Sequence, residues 1–136
     1  MKHTIYIVDD NPIVLEALVM MIADEEDIEV CGTAQSALEA LDVIPKLNPD
    51  VVVADLSLPG MNGVELIERL RLLQPQLQAI ILSAYMDSIH IAKALAAGAK
   101  AYIVKGDPID LLHGIRNILD SQVGRSRQDL ATSTID

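Results

Sequence analysis

Short apolar segments recur along the chain at a nearly constant interval, and this repetition constrains the fold more than any other feature of the sequence. Each segment has four or five residues, is largely apolar throughout and is rich in Ile and Val. Such segments are typical of strands that are buried on both faces of a sheet. Because the connections between them are too long for hairpins, they indicate parallel strands. The predicted strands are residues 4–8, 28–31, 51–54, 79–83 and 101–104.

Signals for helix ends lie between the predicted strands. Asn11 can cap one helix, and Asp87 can cap another that ends at Gly98. Pro45 and Pro49 are expected to break the chain before the third strand. Five alternations of strand and helix predict an α/β fold, namely a flavodoxin-like doubly wound (βα)5 sandwich with a five-stranded parallel sheet in the order 2-1-3-4-5.

The length of the chain fits one domain followed by a short segment. Of the 136 residues, 51% are hydrophobic, which is enough for one globular domain with a substantial core. We expect this domain to occupy residues 1–123. Residues 124–136 are polar and have no apolar period, which predicts a polar tail or an interdomain linker.

The composition argues against several classes of function. The net charge is -10, Trp and Phe are absent, and no cluster of basic residues exceeds the pair Arg125 and Arg127, so we expect no direct nucleic acid binding by this chain. No apolar run approaches the ~18 residues of a membrane span, and the N-terminus lacks a signal-peptide pattern. The single cysteine, Cys31, excludes an internal disulfide. We therefore expect a cytoplasmic protein without membrane contact.

Three aspartates stand where two of the predicted strands end. Asp9 and Asp10 follow the first strand, and Asp55 follows the third. If these strands are parallel neighbours, the carboxylates meet at one edge of the sheet, where ligands bind in folds of this kind. Because closely spaced carboxylates need a cation, the pattern predicts a site for a hard metal ion that also contains a candidate nucleophile.

Other residues at strand ends complete a pattern known from one family. Ser83 ends the fourth predicted strand, Tyr102 lies in the fifth and Lys105 follows it, while Leu-Pro-Gly-Met-Asn-Gly occupies residues 58–63. Together with the three acids, these features resemble the receiver domain of bacterial two-component response regulators over residues 4–121. The segment 105–109, Lys-Gly-Asp-Pro-Ile, is similar to receivers of the LuxR-type class, which carry a helix-turn-helix output domain.

The resemblance implies a phosphorylation switch rather than an enzyme with a separate substrate. Asp55 would accept a phosphoryl group from the phosphohistidine of a sensor histidine kinase or a phosphotransfer protein. Mg²⁺ would be bound directly by Asp10 and Asp55, by Asp9 through water and by the backbone carbonyl of Ser57. The domain would assist its own phosphorylation and dephosphorylation.

The resemblance also assigns roles to residues around the acceptor. Lys105 and Ser83 would contact phosphoryl oxygens, and Ser83 and Tyr102 would move as switch residues. The surface formed by the fourth helix, the fifth strand and the fifth helix would change as a result. The side chains of Ser57 and Tyr85 would flank the path of the water that removes the phosphoryl group. Taken singly, Ser83, Tyr102 and Lys105 could each have a structural or surface role.

Several alternatives stay open from the sequence. The chain is either the N-terminal part of a longer transcriptional regulator, whose C-terminal domain binds DNA, or a stand-alone receiver that acts through protein contacts. An apolar strip on the first helix, Ile13, Val19 and Met20, could be ordinary surface, a kinase-docking site or a homodimer contact. Gly106 follows Lys105 where many receivers have proline, so the sequence leaves the position of Lys105 open.

Proteins of other classes share parts of the pattern. A flavodoxin-like electron carrier is disfavoured because Asp9 and Asp10 would repel a flavin phosphate. A phosphatase of the haloacid dehalogenase kind is disfavoured because it needs an aspartate where Ser57 stands. A degenerate receiver that only binds partners is disfavoured because no acidic position is missing.

Overall fold

A computed structural model describes residues 2–135, with side chains described for residues 2–121. Strands and helices alternate from one end to the other, as the sequence predicts. The strands are β1 (His3–Val8), β2 (Ile28–Ala34), β3 (Val51–Asp55), β4 (Gln78–Ser83) and β5 (Ala101–Val104). The helices are α1 (Pro12–Ala23), α2 (Ala37–Leu47), α3 (Gly63–Leu73), α4 (Ser88–Ala97) and α5 (Pro108–Ile135).

The five strands form one parallel sheet in the order β2-β1-β3-β4-β5, which confirms the predicted fold class. The direction of winding reverses between β1 and β3, where Val8 pairs with Ala54. The residues that follow this pair, Asp9 and Asp55, are therefore neighbours at the carboxyl edge of the sheet. Crevices at such reversal points are the usual ligand sites of doubly wound folds.

Alternate residues of the central strands fill two separate apolar layers. Tyr6 and Val52 face the layer that α2, α3 and α4 cover, whereas Ile7 and Val53 face the layer under α1 and α5. All four side chains are at most 1% exposed. Each buried Ile or Val stabilises the fold by about 1.5–3 kcal/mol, so that the sheet is a rigid support for its edge.

Most predicted helix ends are confirmed. The Asn11 side chain accepts backbone N–H bonds at the start of α1, and the Asp87 side chain does so at the start of α4, which ends at Gly98 with φ 108°. The prediction for Pro45 is wrong, since it lies inside α2. This proline lies in the last turn of α2, which stops two residues later, so the loss of one backbone donor is tolerated.

The segment after residue 123 continues α5 as helix to Ile135. Its side chains lie outside the described residues, and Asp136 lies outside them altogether. The domain boundary at residue 123 and the tail or linker at residues 124–136 therefore stay predictions. Within the described part of the chain, no helix combines the length and the apolar character that a membrane crossing requires.

Candidate functional site

The three aspartates meet at the carboxyl edge of the sheet. Asp9 follows β1, Asp10 is next to it, and Asp55 is the last residue of the adjacent β3. One carboxylate oxygen from each lies within 4.8 Å of the others. Asp9 and Asp55 are buried, with relative exposures of 1% and 4%, whereas Asp10 is exposed. The cluster is thus open to solvent on the side of Asp10.

Backbone donors and one lysine orient the two buried carboxylates. Asp9 Oδ1 accepts the N–H of Asn11 at 2.9 Å, and Asp55 Oδ1 accepts the N–H of Ser57 at 3.1 Å. The other oxygen of each faces Lys105, whose Nζ lies 2.8 Å from Asp55 Oδ2 and 3.4 Å from Asp9 Oδ2. The contact with Asp55 is a hydrogen bond. The contact with Asp9 is an ion pair without hydrogen-bond geometry, so that Asp9 Oδ2 is buried without a hydrogen bond.

Burial and charge shift the titration of the central pair. Burial raises the pKa of Asp55 above its usual range, and the nearby Asp9 charge acts in the same direction. The hydrogen bonds from Lys105 and Ser57 oppose this increase without cancelling it. Burial acts to lower the pKa of Lys105, but its hydrogen bond and attraction to Asp55 outweigh burial, so the pKa of Lys105 lies above its ordinary value. Lys105 is therefore a cation at neutral pH.

The donor set suits a hard divalent cation. The cluster offers carboxylate oxygens from three side chains, which are the ligands that Mg²⁺ and Ca²⁺ prefer. A buried acceptor without a hydrogen bond costs about 1–3 kcal/mol, and Asp9 Oδ2 is such an acceptor. A cation, or water bound to it, would satisfy this oxygen and offset the repulsion among the acids.

Gly63 allows the loop after β3 to return against the site. A Cβ at this position would lie 2.3 Å from the backbone carbonyl oxygen of Asp55. The N–H of Gly63 donates to the carbonyl of Leu56 at 3.1 Å, and Asn62 and Glu65 close a capping box at the start of α3. Residues 56–62 are thereby held close to Asp55. The sequence showed this segment only as a turn, because the close approach depends on tertiary contact.

Lys105 reaches the acids directly from the end of β5. Its backbone N–H donates to the carbonyl of Ser83 at 2.6 Å, which joins the ends of β5 and β4. The described residues contain no cis peptide bond. Lys105, which glycine follows here, is held by this backbone bond, and its side chain contacts Asp55.

Ser83 and Tyr102 both contact the loop between β4 and α4. Ser83 is fully buried, and its Oγ accepts the N–H of Tyr85 at 2.9 Å. The hydroxyl of Tyr102, which packs against the core, donates to the carbonyl of Tyr85. Among the described residues, no hydrogen bond joins Ser83 to Asp55. The structure therefore brings Ser83, Tyr85 and Tyr102 together in one network beside the acids.

One residue of this region was missed from the sequence. The ring of His90 in α4 is stacked on that of Tyr85, with ring centroids 5.0 Å apart and planes at 12°. In the sequence the three histidines are scattered and show no ligand spacing. The only local signal was the spacing from Asp87 to His90, which places the two residues one helical turn apart.

We expect the free energy of unfolding of Asp55→Asn, relative to that of the wild type, to increase with pH. Folding raises the pKa of Asp55, so between about pH 4 and the folded pKa the folded protein keeps a proton that the unfolded chain has lost. The free energy of unfolding therefore falls as the pH rises through the folded pKa. Asparagine removes this loss. Urea unfolding of both proteins in EDTA, between about pH 4 and pH 8, tests the prediction, and a difference that shrinks with pH would contradict it. Asp42→Asn, an exposed acid on α2 whose nearest cation is Lys46, is the matched control.

The comparisons with known proteins agree on one family. The family model described as response regulator receiver domain matches residues 5–116. The chain is 44% identical to the uncharacterized transcriptional regulatory protein YhcZ of Bacillus subtilis (strain 168) over 101 residues, which cover 74% of this chain and 47% of that protein.

Solved structures give the same result. A LuxR-family two-component response regulator from Aurantimonas sp. SI85-9A1 is similar with a TM-score of 0.84 and 33% identity, covering 89% of this chain and 87% of that chain. A chain of the CheX-CheY-BeF3-Mg+2 complex from Borrelia burgdorferi is similar with a TM-score of 0.79 and 25% identity, covering 86% and 89%.

The fold and the site define a doubly wound α/β domain with an acidic crevice and an adjoining lysine at the carboxyl edge of its sheet. The chain belongs to the family of response regulator receiver domains. The electron-carrier and phosphatase interpretations are therefore not retained. The chain spans about half the length of the curated relatives it matches.

Proposed function

We propose that Asp55 is the phosphoacceptor of this receiver domain and takes its phosphoryl group from the phosphohistidine of a sensor histidine kinase or a phosphotransfer protein. The observation that carries the proposal is the Asp55 carboxylate itself, which is held at the end of β3 in the acid cluster with Lys105 Nζ at 2.8 Å. A carboxylate can attack phosphorus when nearby cations neutralise the charge of both partners.

In the proposed transfer, a bond forms between Asp55 Oδ and phosphorus while the bond between phosphorus and the donor imidazole nitrogen breaks. That nitrogen leaves with the electron pair and takes up a proton. The Lys105 ammonium keeps the incoming phosphoryl oxygens and the carboxylate close together by neutralising part of their charge. Catalysis of this kind depends mainly on position and electrostatics.

Mg²⁺ is the cation that we infer for the acid cluster. Asp10 and Asp55 would bind it directly, Asp9 would bind it through water, and the backbone carbonyl of Ser57 would be a further ligand. Such an ion, when bound, neutralises phosphoryl oxygens during transfer. Asp9 and Asp55 are buried and Asp10 is exposed, so a cation from solution would reach the cluster on the side of Asp10.

The switch would pass through the loop between β4 and α4. Ser83 Oγ now accepts the N–H of Tyr85, and donation of its hydroxyl proton to a phosphoryl oxygen would draw this loop toward Asp55. Because the carbonyl of Tyr85 accepts the Tyr102 hydroxyl, movement of the loop and of Tyr102 would be coupled. The surface of α4, β5 and α5 would then differ between the two states.

For the whole protein, we propose the N-terminal receiver of a transcriptional regulator, with a DNA-binding domain beyond this chain. The similarity to YhcZ and to a LuxR-family response regulator supports this assignment. A stand-alone receiver is the alternative. On α1, Ile13 and Met20 are 75% and 65% exposed, whereas Val19 is partly buried, so the predicted outer strip is narrower than expected. Its use in kinase docking or in a homodimer stays a prediction.

Incubation with acetyl phosphate tests the proposed function. In Mg²⁺ the intact mass of the wild-type protein should increase by one phosphoryl group, and with EDTA in place of Mg²⁺ it should not. The mass gain should disappear on treatment with hydroxylamine, which cleaves acyl phosphates but leaves phosphate esters in place. A stable, hydroxylamine-resistant product, or no product in Mg²⁺, would refute a carboxylate acceptor.

The Tyr85 side chain should lengthen the lifetime of the Asp55 phosphate. Tyr85 and Ser57 line one cleft beside the acceptor, and a bulky ring there obstructs an attacking water. We therefore expect Tyr85→Ala to lose its phosphoryl group faster than the wild type, by about two- to tenfold, the range that corresponds to the interactions of one aromatic ring. Release of inorganic phosphate after removal of the donor is the measurement. An equal or longer lifetime in Tyr85→Ala would contradict the prediction.

A further inference from the structure

The ring of His90 is held in place from two sides. Its Nδ1 lies 2.6 Å from Asp87 Oδ1, and the same oxygen accepts the backbone N–H of His90 at 2.8 Å. The opposite contact is the stack with Tyr85, at a centroid distance of 5.0 Å. Asp87 caps α4, so that this arrangement fixes the imidazole relative to the first turn of the helix. His90 thus presents a ring in one orientation to the loop before α4.

The position of the Tyr85 side chain depends on the His90 ring rather than on the backbone hydrogen bonds of Tyr85. Its N–H is bonded to Ser83 Oγ and its carbonyl to the Tyr102 hydroxyl, which fixes the main chain. Neither bond restrains the side chain, which is half exposed. Within residues 2–121, the only aromatic ring that stacks on Tyr85 is that of His90. Without it, the tyrosine ring can rotate about χ1 into solvent.

The stacked pair stands in the cleft that leads to Asp55. Tyr85 and His90 line a cleft of about 510 Å³ together with Leu56 and Ser57. The Ser57 N–H donates to Asp55 Oδ1 at 3.1 Å. Ser57 therefore connects the lining of the cleft to the acceptor carboxylate, and the half-exposed Tyr85 ring belongs to the same lining. A water molecule in this cleft is in a space that Tyr85 and Ser57 both line.

We propose that His90 is a positioning residue that lengthens the lifetime of the Asp55 phosphate by holding the Tyr85 ring across this cleft. The inference rests on the proposed function, since it concerns the reversal of the same phosphorylation. In the reversal, a bond forms between water oxygen and phosphorus, and the bond between phosphorus and Asp55 Oδ breaks. The electron pair stays on the Asp55 carboxylate, and both water hydrogens leave on inorganic phosphate.

The experiment compares phosphate release from six purified proteins after labelling with acetyl phosphate in Mg²⁺ and removal of the donor. His90→Ala should shorten the lifetime by about two- to tenfold, the range that corresponds to one aromatic pair. His90→Phe keeps a ring that can stack but loses the contact with Asp87, so it should retain more of the wild-type lifetime than His90→Ala. In a Tyr85→Ala background, His90→Ala should have no additional effect. His113→Ala, an exposed histidine on α5, is the matched control and should behave as the wild type.

The outcomes distinguish the role proposed for His90 from the phosphorylation proposed for Asp55. If the wild type takes up no phosphoryl group at Asp55, the proposed function fails and this inference fails with it. If labelling is normal and His90→Ala decays at the wild-type rate, only the role of His90 is overturned. Equal acceleration in His90→Phe and His90→Ala, or additive effects of the Tyr85 and His90 substitutions, would also overturn it, because a stack with Tyr85 would then not be the cause.

Discussion

Asp55→Asn is expected to take up no phosphoryl group from acetyl phosphate in Mg²⁺, whereas the wild type is labelled. The substitution keeps the size of the side chain and replaces a charged nucleophilic oxygen with a neutral amide. Among the three clustered acids, Asp55 makes the shorter contact with Lys105, at 2.8 Å against 3.4 Å for Asp9. The substitution therefore removes the nucleophilic charge while Lys105 stays beside Asp9.

The matched control is Asp50→Asn, which makes the same chemical change immediately before β3 instead of at its end. Asp50 accepts the backbone N–H of Thr4, a role that the carboxamide oxygen of asparagine can also fill, so we expect normal labelling. The measurement for both variants is intact mass after equal incubation. Labelling of Asp55→Asn at the wild-type rate would mean that another carboxylate is the acceptor and would refute the assignment.

The fold was predictable because each local signal pointed to the same arrangement. Continuous apolar strands and helical connections specify a parallel sheet with two covered faces, and the sheet has the predicted order. The convergence of Asp9, Asp10 and Asp55 followed from the same step, since parallel neighbours end at one edge. Pro45 was misread because a proline near the end of a helix removes only one bond, and buried neighbours such as Ile44 hold the turn.

Contacts between side chains from different elements could not be predicted in the same way. The hydrogen bond between Lys105 and Asp55 joins residues separated by 50 positions and depends on how far β5 extends. The close approach of Gly63 to Asp55 and the stack of Tyr85 on His90 depend on the path of loops, for which period and spacing carry no signal. The sequence therefore indicated which residues could form the site, and the tertiary contacts show which side chains lie together there.

Asp10→Asn should remove about half or more of the stabilisation that Mg²⁺ gives to the wild type. An ion that binds only the folded state at 100 times its Kd raises the free energy of unfolding by about 2.7 kcal/mol. Loss of a direct ligand should weaken Mg²⁺ binding at least as much as loss of an outer-shell partner does, which is about 10- to 100-fold. At the same Mg²⁺ concentration, the increase in the free energy of unfolding then falls to about 1.4 kcal/mol or less. The effect is specific because, within residues 2–121, the Asp10 side chain makes no hydrogen bond or ion pair that the substitution would break.

Urea unfolding with and without Mg²⁺ measures this difference directly, with EDTA in the metal-free samples. In EDTA, Asp10→Asn should be at least as stable as the wild type, because one charge is removed from a crowded cluster. Asp42→Asn, an exposed acid on α2 with 77% side-chain exposure, is the control and should keep the full response to Mg²⁺. If the wild type gains no stability from Mg²⁺, or if Asp10→Asn gains as much as the wild type, the cluster is not the metal site, and the charge of the phosphoryl group would have to be neutralised by Lys105 without help from a bound ion.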